Sequence, residues 1–411
     1  MSPRRASLLF DSVSVNTGDI AIGLASAQAL NDRGIGSQVV DPFHPKFPRQ
    51  LIVGGGDLIR VKGDPYYDLF RPHGQNILNA AGVWSEADDL GYLTDYAFVS
   101  ARTNREAEYL RKWVPEAAVV PCTTTVLRSD HFSIPGITPG EPVIGIQLVP
   151  HSMRLIEDLV PIINAIPHKK VFIPFTHYNA DASFMKSLPF DRDNCIFLDR
   201  LSALELHSVV GQMTQVLASS LHISIFAYSQ NVPFVSIHQE KINNYFDDRG
   251  LDEHVVQTSS GLRQMLERLN METFDFRDGI DADRASVERA FDLYADWLST
   301  DDGGTLKMGP SIPPDVRREN LRHSQSSDVV ADRDNAIGLV EGRRLSALAR
   351  QTAQSTENER LADEIDRLAD EVDDLRGENE ILQHTWNQRL ARLLRNPLQT
   401  VRNGISARRA R

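Results

Sequence analysis

The stretch Gln215 to Lys241, QVLASSLHISIFAYSQNVPFVSIHQEK, constrains the fold more than any other. It predicts strand, turn, helix, turn and strand in succession. Val216-Leu217-Ala218 is a short apolar run. Ser219 and Ser220 stand where a helix begins, and a serine hydroxyl accepts readily from the unpaired amides of a first turn. Ile223 to Tyr228 continue as an apolar helix. Asn231-Val232-Pro233 stop it, and Phe234 to Ile237 are again rich in β-formers. In an open α/β sheet, ligands bind at the turn leaving a strand's carboxyl end. His222 sits at that turn, beside helix amides that favour an anion. A core histidine near a helix start fits the pattern equally well.

The rest of the chain repeats this alternation. Ser7 to Val15 predicts a strand, Ile20 to Arg33 a helix ended by Gly34, and Ser37 to Asp41 and Leu51 to Val53 two further strands. A strand within Tyr92 to Val99, a helix over Asn104 to Trp113 and a last strand at Val119-Val120 complete a first unit. The aperiodic Pro/Gly cluster Phe132 to Pro142 marks a boundary. A second unit then restarts the pattern: strands at Pro142 to Ile146, Lys170 to Phe175 and Cys195 to Leu198, helices at Leu155 to Ile166, Ala180 to Leu188 and Ala203 to Met213. Thr258 to Leu298 is helical by pattern. The expected fold class is therefore α/β, with two doubly wound, mostly parallel units. The expected divisions are an N-terminal α/β domain 1–135, a C-terminal α/β domain 136–310, a linker 311–355, a coiled coil 356–388 and a basic tail 389–411.

The appendage has its own logic. Leu361, Ile365, Leu368, Val372, Leu375, Asn379, Leu382 and Trp386 are spaced alternately by four and three. Such a seam, with Leu at d, Ile or Val at a and one Asn at a, favours a parallel two-stranded coiled coil. A single amphipathic helix packed on its own domain is the alternative. Beyond Glu380 there is no acidic residue, while seven arginines from Arg389 to Arg411 alternate with apolar residues. That composition suits an anionic membrane surface or a solvated tail equally. The net charge of −12 argues against bulk nucleic-acid binding. No window approaches the ~18 apolar residues that span a bilayer. The apolar run near Met1 is cut short by Asp11, and the two cysteines make no framework or metal site. The expectation is a cytoplasmic chain, peripheral at the inner membrane face if the tail binds there, with no metal and no cofactor.

Three more stretches bear on chemistry. Asn16-Thr17-Gly18-Asp19 opens a helix after a strand, and Gly54-Gly55-Gly56-Asp57 follows an apolar strand, where glycines let backbone approach a ligand closely. Neither is a phosphate loop or a dinucleotide fingerprint. Both also fit ordinary tight turns. Arg102 lies between a strand and a helix, where its guanidinium suits a carboxylate or phosphate, or else a surface pair with Glu106.

Taken in order, Asn16-Gly18-Asp19, Gly54 to Gly56, Arg102, Leu221-His222, Asn231-Val232-Pro233 and Lys241 resemble the polysaccharide pyruvyl transferase family over roughly residues 7–255. Ser220 stands where that family usually has Arg, Thr103 where it has Asp after Arg102, and Cys122 where it often has Asp after Pro121. The resemblance implies two Rossmann-like domains facing a cleft, in the glycosyltransferase-B manner. It implies phosphoenolpyruvate as donor and a glycan as acceptor, joined as a ketal. His222 would be the general acid, since a histidine titrates near neutrality. Donor-binding positions would be Arg102, Ser220, Leu221, Lys241, Gly18, Asp19, Gly54, Gly55 and Gly56, with Lys241 and Arg249 the cations in reach of Ser220. A non-catalytic scaffold of the same fold and a nucleotide-sugar glycosyltransferase are the rival readings.

The seam predicts a parallel homodimer that sets two basic tails side by side. Sedimentation of the full chain should give a dimer, and a chain ending before Asn358 a monomer. Each basic residue near an anionic leaflet adds about 1 kcal/mol, so the truncated chain should also lose liposome binding. A monomeric full chain would end the dimer idea, and equal liposome binding would end the membrane idea.

Overall fold

A computed structural model describes residues 5–299, apart from 13–15, 41, 43–49, 61–66, 85–88, 139, 177–180 and 199–200, together with residues 367–380, 382, 386 and 387. The first unit comprises β1 (Arg5–Leu9), α1 (Thr17–Asn31), β2 (Gly36–Val39), β3 (Leu51–Gly54), β4 (Ile77–Ala81), β5 (Phe98–Ala101), α2 (Asn104–Arg111) and β6 (Ala118–Val119). Its strands form one sheet in the order β2-β1-β3-β4-β5-β6, every neighbouring pair parallel. β3 and β4 lie at its centre and are buried along their whole length, as strands covered on both faces must be.

The second unit begins with β7 (Val143–Gln147), α3 (Pro150–Leu155), α4 (Leu159–Asn164), β8 (Lys169–Phe172), α5 (Asp181–Ser187) and β9 (Cys195–Phe197). It continues with α6 (Ala203–Gly211), β10 (Gln215–Ala218), α7 (Leu221–Ser229), β11 (Phe234–Ile237), α8 (Glu240–Asp247), β12 (Val255–Val256), α9 (Ser259–Met271) and α10 (Arg277–Ser299). The sheet order is β12-β11-β10-β7-β8-β9, again all parallel. The two α/β units expected from the alternating pattern are present.

Several elements differ from expectation. β4 has no counterpart in the sequence reading, because its short run Ile-Leu-Asn-Ala-Ala has a single β-branched residue. The strand expected within Tyr92 to Val99 begins only at Phe98, and Gly91–Asp95 form a 3-10 turn. The helix expected over Leu155 to Ile166 is the shorter α4, starting at Leu159, and a separate short helix, α3, precedes it and ends at Leu155.

α10 follows the second sheet in sequence but buries its apolar stripe on the first. Val287, Ala290, Phe291 and Tyr294, at helical spacing, share a core with Ala6, Leu8, Leu30, Ile52 and Ile77. Arg33, just past α1, bonds Glu288 at 2.8 Å and Asp292 at 2.7 Å. The Tyr294 hydroxyl donates to Asn79 Oδ1 at 3.1 Å, and Asn79 Nδ2 donates to Thr123 Oγ1 at 2.9 Å. This accounts for a wholly buried asparagine in a central strand.

The units meet through α1, whose Ala21, Ile22 and Ala25 join the core formed by Leu206, Val210, Ile223 and Phe226 of α6 and α7. An isolated antiparallel bridge also links Asn16 to Thr176 across the junction. Of the heptad seam, residues 367–380 are helical, with Leu368 and Val372 buried and Leu375 packed against them. The basic tail lies outside the described residues. No described helix is long and apolar enough to cross a membrane.

Phe291→Ala should lower stability by about 3–5 kcal/mol through the cavity left on the first sheet. Leu293→Ala, on the exposed side of the same helix, should change it by less than about 0.5 kcal/mol. Chemical denaturation of the two variants checks this; equal effects would contradict the packing of α10.

Candidate active site

A cavity at the junction is lined by Asn16, Asp19, Asp57, Val149, Thr176, Ser219, Ser220, Leu221, His222, Gln239 and Lys241. All of them follow the carboxyl ends of strands: β1 and β3 on one side, β7, β8, β10 and β11 on the other. That is where an open parallel sheet leaves room for a ligand.

Asp57 ties the two sides together. Its Oδ1 accepts from the Arg102 guanidinium, and its Oδ2 accepts from Lys241 Nζ at 2.9 Å. Arg102, only 2% exposed, also bonds Glu106 Oε1, at 3.1 Å from Nε and 3.0 Å from Nη2. Thr103 caps α2 by accepting from the Glu106 amide, and its hydroxyl donates to Glu106 Oε2 at 2.9 Å. Burial works against the charge on Asp57, but Arg102 and Lys241 outweigh it and hold the carboxyl far below its ordinary range. Burial likewise opposes the charge on Arg102, and Asp57 and Glu106 more than restore it.

Asp19, beside it, goes the other way. Burial pushes its carboxyl well up, Asp11 and Asp57 add to this, and Lys241 and Arg102 only partly offset it. Its Oδ2 accepts from Asn16 Nδ2 at 2.7 Å, while Asn16 Oδ1 caps α1 by accepting from the Gly18 amide at 3.1 Å. The two carboxyls of one cavity are thus shifted in opposite directions, Asp57 down and Asp19 up. Such a divergence is the usual mark of groups with different tasks in one site.

His222 enters from the second residue of α7. Burial, then Arg102 and Lys241, push its ring down to about 3, against the pull of Asp57. These surroundings favour the neutral ring, whereas a histidine in open water titrates near neutrality. Its Nε2 is buried and has no partner among the described residues. Ser220 is the N-cap of α7 and makes no side-chain capping bond, so its side chain does not satisfy the first-turn amides. Gln239 Nε2 donates to the Ser219 carbonyl at 2.6 Å and fixes this turn against the one that carries Lys241.

Of the residues expected from sequence, Asp19, Ser220, Leu221, His222 and Lys241 line the cavity. Arg102 does not; it stands behind Asp57, and its pairing with Glu106 is real but buried rather than on the surface. Nor do the glycines. A Cβ on Gly54 would lie 2.4 Å from the Asn79 carbonyl, on Gly55 2.8 Å from Ile22, and on Gly56 2.4 Å from Asp19 Oδ1. These glycines let α1 and β4 close on the turn. Gly18 admits His222, since a Cβ there would meet Nδ1 at 2.0 Å. Arg249 turns away to Asp283 at 2.7 Å and stacks on Tyr245. Sequence reasoning passed over Asp57, Thr176 and Gln239 as site residues, although each directly follows a strand or its turn. Thr176 is held by Asp181, whose Oδ2 accepts from the Thr176 amide at 2.7 Å and from Gln147 Nε2 at 3.0 Å. Among the described residues, no cluster of His, Cys, Asp and Glu could hold a metal ion.

The family model described as Polysaccharide pyruvyl transferase matches residues 16–238. Comparison with curated proteins gives no match. Similar solved structures include UDP-GlcNAc 2-epimerase of Methanocaldococcus jannaschii, at 11% identity and TM-score 0.43, covering 71% of this chain and 98% of that one. Sucrose-phosphate synthase of Thermosynechococcus elongatus is 12% identical at TM-score 0.44, over 72% and 100%. ADP-heptose LPS heptosyltransferase II of E. coli is 10% identical at TM-score 0.36, over 65% and 98%.

Asp57→Asn should destabilise the chain by roughly 3–5 kcal/mol, because it leaves Arg102 and Lys241 without their shared partner. A melting point within a degree of the parent would show that the pairing carries no such weight.

Proposed function

The chain belongs to the polysaccharide pyruvyl transferase family, and from that premise we propose that it moves the enolpyruvyl unit of phosphoenolpyruvate onto a sugar of a cell-surface polysaccharide or glycolipid. The observation that carries this is His222 Nε2, buried in the cavity without a partner among the described residues, beside the uncapped start of α7 and the Lys241 ammonium. A polar atom left so is satisfied when a ligand fills the site. Amides and a cation suit the phosphate and carboxylate of the donor.

The reaction protonates the donor's methylene carbon and leaves a cation at C2. One sugar hydroxyl adds there and loses its proton, and phosphate leaves with a proton. The second hydroxyl adds to the cation so formed and loses its proton in turn, closing a cyclic ketal. The ring of His222 is neutral until the donor arrives. The donor's negative charges then oppose the burial and the two cations that hold the ring's affinity for protons down. His222 so takes up a proton with the donor and is placed to give it to the methylene carbon. Lys241 exchanges Asp57 for the donor's phosphate, and Arg102 keeps Asp57 in position from behind.

Two observations favour a scaffold without the chemistry. Ser220 leaves the cavity without the arginine usual in the family, and Arg102 is fully matched by two carboxylates. Phosphate release from phosphoenolpyruvate, measured with the full chain and glycan acceptors, separates the two readings.

His222→Ala should stay folded and lose transfer by about 10²–10⁴-fold. Calorimetry in buffers of differing ionisation enthalpy should show the parent taking up more protons with phosphoenolpyruvate than His222→Ala does. Parent affinity should accordingly rise as pH falls from 8 to 6 more steeply than the variant's. Transfer within a few-fold of the parent, or equal proton uptake, would remove His222 from its role. No donor binding in either the parent or Ser220→Arg would favour the scaffold.

A further inference from the structure

Beyond the cavity, two lengths of chain leave the first sheet side by side. One runs from β3 through Asp57 to Arg60, the other from β4 through Gly82 to Trp84. Ile59 and Val83 form an isolated parallel bridge. The Gly82 amide donates to the Gly56 carbonyl at 2.7 Å, and the Trp84 amide to the Ile59 carbonyl at 2.9 Å. This pairing extends the ladder past the sheet's carboxyl edge and sets Arg60 against Trp84. The Arg60 guanidinium lies 4.6 Å from the Trp84 ring centre and 3.9 Å from that of Tyr67. Its Nε donates to the Asp57 carbonyl at 3.2 Å. The ammonium of Lys241, itself a cavity residue, lies 5.8 Å from the same indole. Aromatic and cationic groups so form a strip that begins at the cavity and runs outward.

Trp84 is 60% exposed, against 37% for Trp113. A tryptophan so open adds little to the core, and Arg60 already has Tyr67 to stack on. Among the described residues no carboxylate pairs with Arg60, and its two terminal nitrogens make no bond. An indole face fits the C–H face of a pyranose, and the free edge of a guanidinium fits an oxyanion by two parallel bonds.

We propose that Trp84 and Arg60 are the acceptor subsite: a pyranoside stacks on the indole, and an anionic group of that same sugar, a ring carboxylate or an anomeric phosphate, is held by Arg60. In calling the sugar an acceptor, this rests on the pyruvyl-transfer reading. Recognition of the sugar itself does not need a donor, so the two can be tested apart.

The experiment titrates the full chain, without donor, with p-nitrophenyl hexopyranosides, the matching hexuronides and hexose 1-phosphates, followed by saturation-transfer NMR. Trp84→Ala should weaken binding of the best ligand by at least about tenfold, whereas Trp84→Phe should stay within about threefold. A charged ligand should bind at least about fivefold more tightly than its uncharged parent, and Arg60→Gln should erase that preference. Whether hexuronide or 1-phosphate binds more tightly identifies the anion. Affinity of Trp84→Ala within twofold of the parent, or a parent chain that binds none of the panel, overturns the subsite. Equal binding of charged and uncharged sugars overturns the role of Arg60. Sugar binding that depends on Trp84 in a chain that turns over no phosphoenolpyruvate leaves the subsite standing and removes the pyruvyl-transfer reading.

Discussion

A single carboxylate, Asp57, answers two cations that come from different domains. Arg102 reaches it from the first sheet and Lys241 from the start of α8 in the second. Removing either charge from a buried pair strands the other, and stranding costs more than pairing gains. The geometry of the cavity follows from this. Burial raises Asp19 and lowers His222, and the arrangement adds to both shifts: the charges of Asp11 and Asp57 act on Asp19, and the two cations act on His222. Burial and one ion-pair arrangement between domains together set three titratable groups a few residues from a strand end.

Close approach does the rest. α1 can lie against the turn after β3 because Gly55 and Gly56 leave space for Ile22 and Asp19, and His222 can enter because Gly18 leaves space for its ring. The site is therefore a product of close packing: within the first unit α1 fills the space beside Gly55 and Gly56, and across the junction His222 fills the space beside Gly18. Packing of this kind tolerates little change in volume.

Much of the scaffold was legible in the chain. The Gln215 to Lys241 stretch read as β10, α7 and β11 because an apolar strand, a serine pair and an Asn-Val-Pro turn all punctuate at the right places. β4 was not legible, since Asn79 breaks its apolar run for the sake of Tyr294 and Thr123, partners far away in sequence. The return of α10 to the first sheet was hidden for the same reason: a helical stripe shows that it is buried, not against what. The site residues divide likewise. Ser220, Leu221, His222 and Lys241 were visible from their places after strands. The burial of Arg102 behind Asp57 was not, because its neutralisation depends on a contact between residues 45 apart.

The path of α10 has a mechanical meaning. The chain crosses from the first unit to the second before β7 and crosses back in α10, so two covalent links join the units instead of one. Paired links restrain how far one unit can twist against the other. Ser299 ends on the first unit, so whatever the chain carries after it is tethered to the side that bears Asp57 and Trp84. Were that appendage held fast, the half bearing His222 and Lys241 would be the one to move.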